Sequence, residues 1–263
     1  MLHEAKAIVL KKIPYGEDDL IVTLLTETGL KMSCFAPKAR VSKKRFGTAL
    51  DLFCVVYICY KEKPGSSLVS LSSAELLFSY QKIRANLSKF ALVCFLSELV
   101  TEFVPEHMAS PEIYSFFIQI MTLFESPQNL EDHFLPLLEH SVLSLTGYKP
   151  VLESCVECRD VFSEKENAYF FYGLKGGVVC SSCFSKQDPL SHAKESKGKV
   201  FPLSHGVILR LLHETLHQPQ SWSGASWKKP EITEARQALE YFLQHIAGKP
   251  LKTLTFVSQI LAS

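Results

Sequence analysis

The chain has 263 residues, of which 47% are hydrophobic and 21% charged, and 28 Lys and Arg nearly balance 27 Asp and Glu. This composition is typical of a globular protein and excludes a mostly disordered chain. The longest nearly uncharged run, Leu50–Tyr60, is shorter than the ~20 residues of a membrane-spanning helix. The start of the chain has no apolar segment behind basic residues, so we expect a cytoplasmic protein. Eight Cys are too sparse for a disulfide scaffold.

The first 79 residues are predicted to form a small β-barrel. Short runs rich in branched and aromatic side chains alternate with polar turns such as Tyr15–Asp19, Glu27–Gly29 and Lys63–Gly65. The five expected strands lie at residues 7–10, 20–25, 30–35, 50–60 and 67–71. Five short strands with one long loop are typical of a Greek-key barrel, and we therefore predict an OB-fold.

After Ser79 the pattern becomes helical. Apolar residues recur every three or four positions from Phe90 to Phe103, as a buried helix face requires. Further helices are predicted over residues 112–124, 130–145, 204–217 and 233–247.

Two C-x2-C pairs interrupt the helical region. Cys155 and Cys158 are separated by 21 residues from Cys180 and Cys183. The intervening segment contains a predicted strand, a Gly176–Gly177 turn and a returning strand, which together indicate a zinc-ribbon hairpin. Four thiolates complete the tetrahedral sphere of Zn²⁺, so we expect one structural zinc that activates no water. Such a metal should fix a small module with little core of its own; the alternatives are core cysteines or a redox pair.

These patterns divide the chain into four predicted parts. They are an OB-fold domain at 1–79, a first helical part at 80–150, a zinc ribbon at 151–185 and a second helical part at 186–263. The predicted class is α+β: an N-terminal five-stranded OB-fold barrel followed by an all-helical domain that carries a zinc-ribbon insertion.

The positive charge is concentrated near the N-terminus. The segment Lys31–Lys63 holds 8 basic and 2 acidic side chains, a net charge of +6. Cations near barrel aromatics suit a single-stranded nucleic acid, because they neutralise phosphates while rings stack on bases. The predicted DNA-binding residues are Lys38, Arg40, Lys43, Lys44, Arg45, Phe46, Tyr15 and Lys31. The alternative is a solvated loop that repels other chains and binds nothing.

A second motif favours an enzyme. His213-Glu214-Thr-Leu-His217 matches the H-E-x-x-H pattern of zinc metalloproteases, in which two His bind zinc and the Glu is the general base. The predicted helix ends almost immediately afterwards, at Gln218-Pro219, which weakens this hypothesis. A third hypothesis is a zinc-ribbon protein that binds RNA or is associated with translation.

The order of these parts resembles the bacterial recombination mediator RecO family. The segments that carry the resemblance are 7–10 with 15–26, 36–45, 147–158 with 176–183, and 241–243 with 251–253. Three residues depart from the family pattern: Lys38 and Arg159 stand where the family usually has Gly, and Lys44 where it often has Ser. The two lost glycines bring the local turn geometry into question.

The resemblance implies a non-enzymatic DNA repair protein associated with the nucleoid. RecO-like proteins bind single- and double-stranded DNA, anneal complementary strands and act in the repair of gaps and double-strand breaks. They bind the C-terminal tail of the single-stranded DNA-binding protein and act with RecR to load RecA. The tail-binding site in that family lies in the helical part.

Overall fold

Five strands form a closed barrel at the N-terminus of the computed structural model, which describes residues 2–62, 68–106, 108–127, 130–162, 168–186 and 199–261. The order around the barrel is β1-β2-β3-β5-β4, and antiparallel pairing of β1 with β4 closes it. The strands are β1 Leu2–Tyr15, β2 Asp19–Thr26, β3 Lys31–Ala36, β4 Val55–Lys61 and β5 Val69–Phe78. Strands β3 and β5 pair in parallel, whereas the other neighbours are antiparallel. This five-stranded arrangement confirms the predicted OB-like barrel.

A β-bulge in β1 decides which side chains reach the outer surface. Before it, Val9 pairs with Leu24 and faces the barrel core; after it, Lys11 pairs with Thr23. The extra residue reverses the alternation of side chains between the two faces. The odd-numbered positions Ile13 and Tyr15 therefore lie on the outside of the barrel, where they are 44% and 55% exposed.

The connection between β3 and β4 closes one end of the barrel. Phe46, Ala49 and Leu50 belong to the barrel core, together with the small interior residues Ala7 and Ala36. The strand predicted from residue 50 begins only at Val55, because residues 50–54 fold into turns against β1. The predicted turn at 63–65 lies outside the described residues.

In the described part of the first compact unit, Met1–Pro127, three helices accompany the barrel. They are α1 Gln81–Ala85, α2 Leu87–Phe103 and α3 Pro111–Glu125. The Ser97 hydroxyl on α2 donates a buried hydrogen bond of 2.8 Å to the carbonyl of Leu10. Gly29 at the β2–β3 turn has a φ of +76°, and a Cβ there would lie 1.9 Å from the Ser110 carbonyl oxygen. Only Gly fits this position.

The second compact unit, Gln128–Ser263, combines a three-stranded sheet with helices. Its elements are α4 Phe134–Leu145, β6 Ala168–Tyr172, β7 Gly177–Cys180, α5 Ser181–Ser185, β8 Val200–Ser204, α6 His205–Thr215, α7 Lys229–Ala247 and α8 Lys252–Leu261. The sheet order is β7-β6-β8, with both pairs antiparallel. The unit boundary lies within the segment 80–150 that the sequence pattern treats as one part. None of the helices among the described residues is long and apolar enough to cross a membrane.

The sheet packs against α7 through aromatic side chains. The rings of Phe171 and Phe242 meet edge to face with their centroids 5.6 Å apart. A Cβ on Gly173 would lie 2.4 Å from the Tyr241 ring, so the turn after β6 approaches α7 closely. Sequence patterns gave no prediction for β8, which pairs with β6 and connects the hairpin to α6.

Glu139 on α4 is fully buried in this unit. Neither of its carboxyl oxygens has a hydrogen-bond partner among the residues that the structure describes. Burial raises the pKa of Glu139 well above 4.5; Glu240 raises it further, and Arg236 opposes the shift. The folded protein therefore keeps this carboxyl protonated at a pH where the unfolded chain ionises it.

We expect the stabilising contribution of protonated Glu139 to be present below pH 4.5 and to be lost as the pH rises. Because the folded pKa is the higher one, the folded state binds more protons in that range, and the free energy of unfolding falls. In Glu139→Gln this loss is absent. Denaturant unfolding should show that, as the pH rises, the free energy of unfolding of the variant increases relative to that of the wild type by up to about 1.4 kcal/mol per pH unit. Replacing the exposed Glu75 by Gln is the control, and parallel pH profiles for wild type and Glu139→Gln would contradict this account.

Candidate nucleic-acid interface and metal centre

The basic loop directly follows β3 and is held against the β1–β2 turn. The Lys38 amide donates a hydrogen bond of 2.7 Å to Asp19 Oδ1, and the Arg40 amide donates one of 2.9 Å to the Asp18 carbonyl. The Arg40 guanidinium donates to the carbonyl of Glu17 at 2.7 Å. These bonds fix the loop beside Tyr15, which pairs with Asp19 in the strand register.

Four of the predicted cationic residues are exposed on this loop. They are Lys38, Arg40, Lys43 and Lys44. Arg45 is half-buried instead, because its guanidinium donates to the Pro37 carbonyl at 2.7 Å and to Ser42 Oγ at 3.2 Å. Arg45 therefore holds the loop in shape, and the four exposed cations remain available to an anionic ligand.

Two of the predicted DNA-binding residues lie away from solvent. The Lys31 side chain is 8% exposed and donates a hydrogen bond of 2.5 Å to the carbonyl of Thr101. Burial lowers the pKa of Lys31, and the carboxylates of Glu106 and Glu102 oppose this shift. Phe46 is 2% exposed and fills the barrel interior. Neither side chain can meet a ligand in this conformation.

Apolar side chains share the outer face of β1, β2 and β3, with the Tyr15 ring exposed and the Phe35 ring partly buried. Tyr15 meets Phe35 edge to face with ring centroids 5.9 Å apart. The register places Ile13 opposite Ile21, and Ile21 opposite Phe35, so these side chains share the same face. Sequence reasoning had omitted Ile13, because only the bulge reveals that it points outward.

The four cysteines of the predicted metal site converge. All four sulfur atoms lie within 4.8 Å of one another, and those of Cys158 and Cys180 are 3.9 Å apart. Ligands at ~2.3 Å around a tetrahedral zinc are about 3.8 Å apart, so this spacing suits the ion. Cys180 ends β7 and Cys183 lies in the first turn of α5, while the other pair lies in the turn after Leu152. The cluster can therefore bind a metal ion and is compatible with zinc.

Backbone amides favour an ionised thiol at Cys155, whereas a hydrogen bond with Cys180 raises the pKa of Cys183. The Cys180 amide points at Cys155 Sγ and the Cys183 amide at Cys180 Sγ, both at 3.4 Å. Burial opposes ionisation of Cys155, but backbone N–H donors outweigh it and lower the pKa of this thiol to about 7. A thiol that ionises near neutral pH is a ready metal ligand.

Backbone pairing holds the first cysteine turn against the hairpin. The Val156 amide donates to the Val178 carbonyl at 2.9 Å, and the Val178 amide donates to the Val151 carbonyl at 3.0 Å. Arg159, in the usual glycine position, has a φ of +64°, and Lys38 has a φ of +54°. Both positions therefore keep the left-handed backbone that favours glycine.

The β6–β7 hairpin buries more of its side chains against the rest of the unit than the sequence indicated. Tyr169 and Phe171 are fully buried, and the hairpin forms one sheet with β8 that packs on α7. The prediction of a module with little core of its own is therefore wrong. The cysteine cluster lies at one end of this larger sheet.

The H-E-x-x-H motif lies at the end of α6 without the geometry of a protease site. His213 and His217 are exposed, but the Glu214 carboxylate accepts a hydrogen bond of 2.9 Å from Trp227 Nε1 and lies 3.6 Å from Arg210. A general base must be free to reach a metal-bound water. Within the described ranges, the four cysteines are the one group of three or more potential ligands that converges.

We expect Cys158→Ser to lose the bound metal while the helices of this unit persist. The substitution removes an exposed ligand, whereas the sheet keeps its aromatic core on α7. Metal analysis should fall from about one ion per chain to near zero, with a lower melting temperature and an almost unchanged far-ultraviolet dichroism spectrum. Cys59→Ser, outside the cluster, is the matched control and should keep the metal. Retention of the ion in Cys158→Ser would refute the site.

Comparison with known proteins agrees with this architecture. The family model "Recombination protein O N terminal" matches residues 1–80, and "Recombination protein O C terminal" matches residues 84–255. The "DNA repair protein RecO" of Syntrophus aciditrophicus is 29% identical over 258 residues, covering 98% of this chain and 96% of the relative. Those of Syntrophotalea carbinolica and Desulfatibacillum aliphaticivorans are each 32% identical, covering 97% of this chain and 93% and 95% of the relatives. The chain therefore belongs to the RecO family of DNA repair proteins.

Proposed function

We propose that this chain is a recombination mediator that binds and anneals single strands during the repair of gaps and double-strand breaks. Family membership supports a role in DNA repair. One structural observation carries the binding proposal: the exposed cations of the 38–44 loop lie beside the exposed Tyr15 ring on an OB-like barrel. This combination of charge and ring is suited to an unpaired strand.

In the proposed complex, the loop cations neutralise phosphates while Tyr15 stacks on a base. Stacking uses the face of a base and leaves its pairing edge accessible to a complementary strand. Phosphate contacts do not depend on sequence, so the surface accepts any strand. A surface that holds the backbone and leaves pairing edges free favours annealing. The cations also support contact with double-stranded DNA.

Acidic groups next to the loop moderate its charge. Asp19 accepts the Lys38 amide, and Glu17 and Asp18 flank the contacts of Arg40. Their carboxylates reduce the net potential at the strand, so we propose binding that reverses readily and depends strongly on salt. Reversible binding suits a protein that must hand its strand to a recombinase.

The remaining parts of the proposal come from the family resemblance. The protein acts with RecR, binds the tail of the single-stranded DNA-binding protein and helps to load RecA onto DNA covered by that protein, in the cytoplasm at the nucleoid. One structural Zn²⁺ occupies the cluster of Cys155, Cys158, Cys180 and Cys183. Four thiolate ligands leave no open position for a reacting water, which supports a non-enzymatic role.

We expect the triple substitution of Lys38, Lys43 and Lys44 by Ala to weaken binding to single strands and to reduce its salt dependence. Each lost phosphate contact should reduce the slope of log affinity against log salt by about 0.7, and three contacts by roughly 2. Fluorescence anisotropy with a labelled oligonucleotide at several salt concentrations measures this slope. Annealing assays, with and without the single-stranded DNA-binding protein, should lose rate in parallel.

The matched control replaces Lys6, Lys61 and Lys82 by Ala. These three lysines are exposed in the same unit, so the variant has the same net charge but an intact loop. An equal change of slope in both variants would reject the loop as the interface. Preference for RNA over DNA of the same sequence would instead favour the RNA-binding hypothesis.

Tyr15→Ala should weaken single-strand affinity by about 5- to 150-fold, because stacking contributes roughly 1–3 kcal/mol per base. Tyr15→Phe keeps the ring and should retain most of the affinity. The control Tyr57→Ala removes another ring of the same barrel, 38% exposed on β4, and should have little effect. Equal affinities for the wild type and Tyr15→Ala would remove stacking on this ring from the proposal.

A further inference from the structure

The two histidines of the H-E-x-x-H motif converge although the motif lacks protease geometry. Their Nε2 atoms are 3.4 Å apart, with ring centroids 4.7 Å apart. Both side chains are exposed at the end of α6, so a dissolved ion can reach them. Neither ring contributes to the proposed DNA surface or to the cysteine cluster.

The geometry points to a second metal site: we propose that His213 and His217 chelate an exchangeable divalent transition-metal ion such as Zn²⁺ or Ni²⁺. His213 lies in the last turn of α6 and His217 in the turn that follows it, and the amide bonds of that turn keep the chain coiled, which brings the two rings together. Neutral imidazole nitrogens are favoured ligands of zinc and nickel. At 3.4 Å the nitrogens are close to the spacing of two neighbouring ligands around one ion.

The surrounding charges permit a cation at this position. The Arg210 guanidinium is 3.6 Å from the carboxylates of both Glu214 and Glu231, which offset its charge. Two protein ligands leave the other coordination positions to water. The site should therefore bind more weakly, and exchange faster, than the cluster of four thiolates.

A bound ion would stabilise the turn that follows α6. The helix ends at Thr215, and beyond it the amides of Leu216 and His217 donate to carbonyls three positions earlier, both at 3.2 Å, in place of the four-residue spacing of an α-helix. The same turn anchors the Trp-containing segment, because Trp222 Nε1 donates to the Glu214 carbonyl at 3.0 Å. An ion on both imidazoles links His217 to the helix and should stabilise this connection.

The test uses full-length protein without an affinity tag, its cysteine cluster already saturated with zinc. Calorimetric titration with Zn²⁺ at neutral pH should detect one additional exchangeable ion per chain. His213→Ala and His217→Ala should each abolish it, while His245→Ala, an exposed histidine on α7, keeps it. Unchanged titration of both variants, or no additional ion in the wild type, would overturn the proposal.

Thermal unfolding provides the second measurement. With free Zn²⁺ at 100 times its dissociation constant, the unfolding equilibrium constant of the wild type should fall about 100-fold, and that of His213→Ala should not change. Without added metal the two proteins should melt alike, because His213 is exposed. Equal stabilisation of both by Zn²⁺ would place the extra ion elsewhere. The outcome is independent of DNA binding, so the proposed function and this inference can fail separately.

Discussion

The pairing of β1 with two partners is the constraint on which the proposed interface depends. The first half of this long strand pairs with β4 and closes the barrel, while its second half pairs with β2. The bulge after Val9 lets one strand contribute Val9 to the core and present Tyr15 on the outside. Without that extra residue the alternation of side chains would turn Tyr15 to the opposite face.

The basic loop is positioned by hydrogen bonds to the β1–β2 turn and by hydrogen bonds within the loop. The backbone amides of Lys38 and Arg40 donate hydrogen bonds to the β1–β2 turn, and the Arg45 guanidinium donates one to the Pro37 carbonyl. Lys43 and Lys44 are exposed, whereas the Arg40 guanidinium also donates to the carbonyl of Glu17. Because some cations of this segment hold the loop in place, counting its charges overstates the number available to an anionic ligand.

The cysteine cluster is built on the sheet of the second unit. The cysteine cluster fixes two turns, and the sheet behind them is buried against α7 by Phe171 and Phe242. The strand β8 joins this sheet from a segment distant in sequence. A metal ion bound by the four thiolates would therefore add local order to a unit whose core is largely hydrophobic.

The sequence by itself determined the barrel, the helical region and the four cysteines that form the cluster. Alternating apolar strands and paired C-x2-C motifs are local signals, because each follows from the geometry of a strand or of a single coordination sphere. It also marked the 38–45 segment as cationic.

Only the tertiary structure decided which of those side chains are exposed. Lys31 lies in the same basic stretch as Lys38, yet its ammonium is buried against Thr101, a residue 70 positions away in the chain. Phe46 fills the barrel, and Glu214 is bound to Trp227. Burial depends on contacts between distant residues, which no local pattern of amino acids encodes.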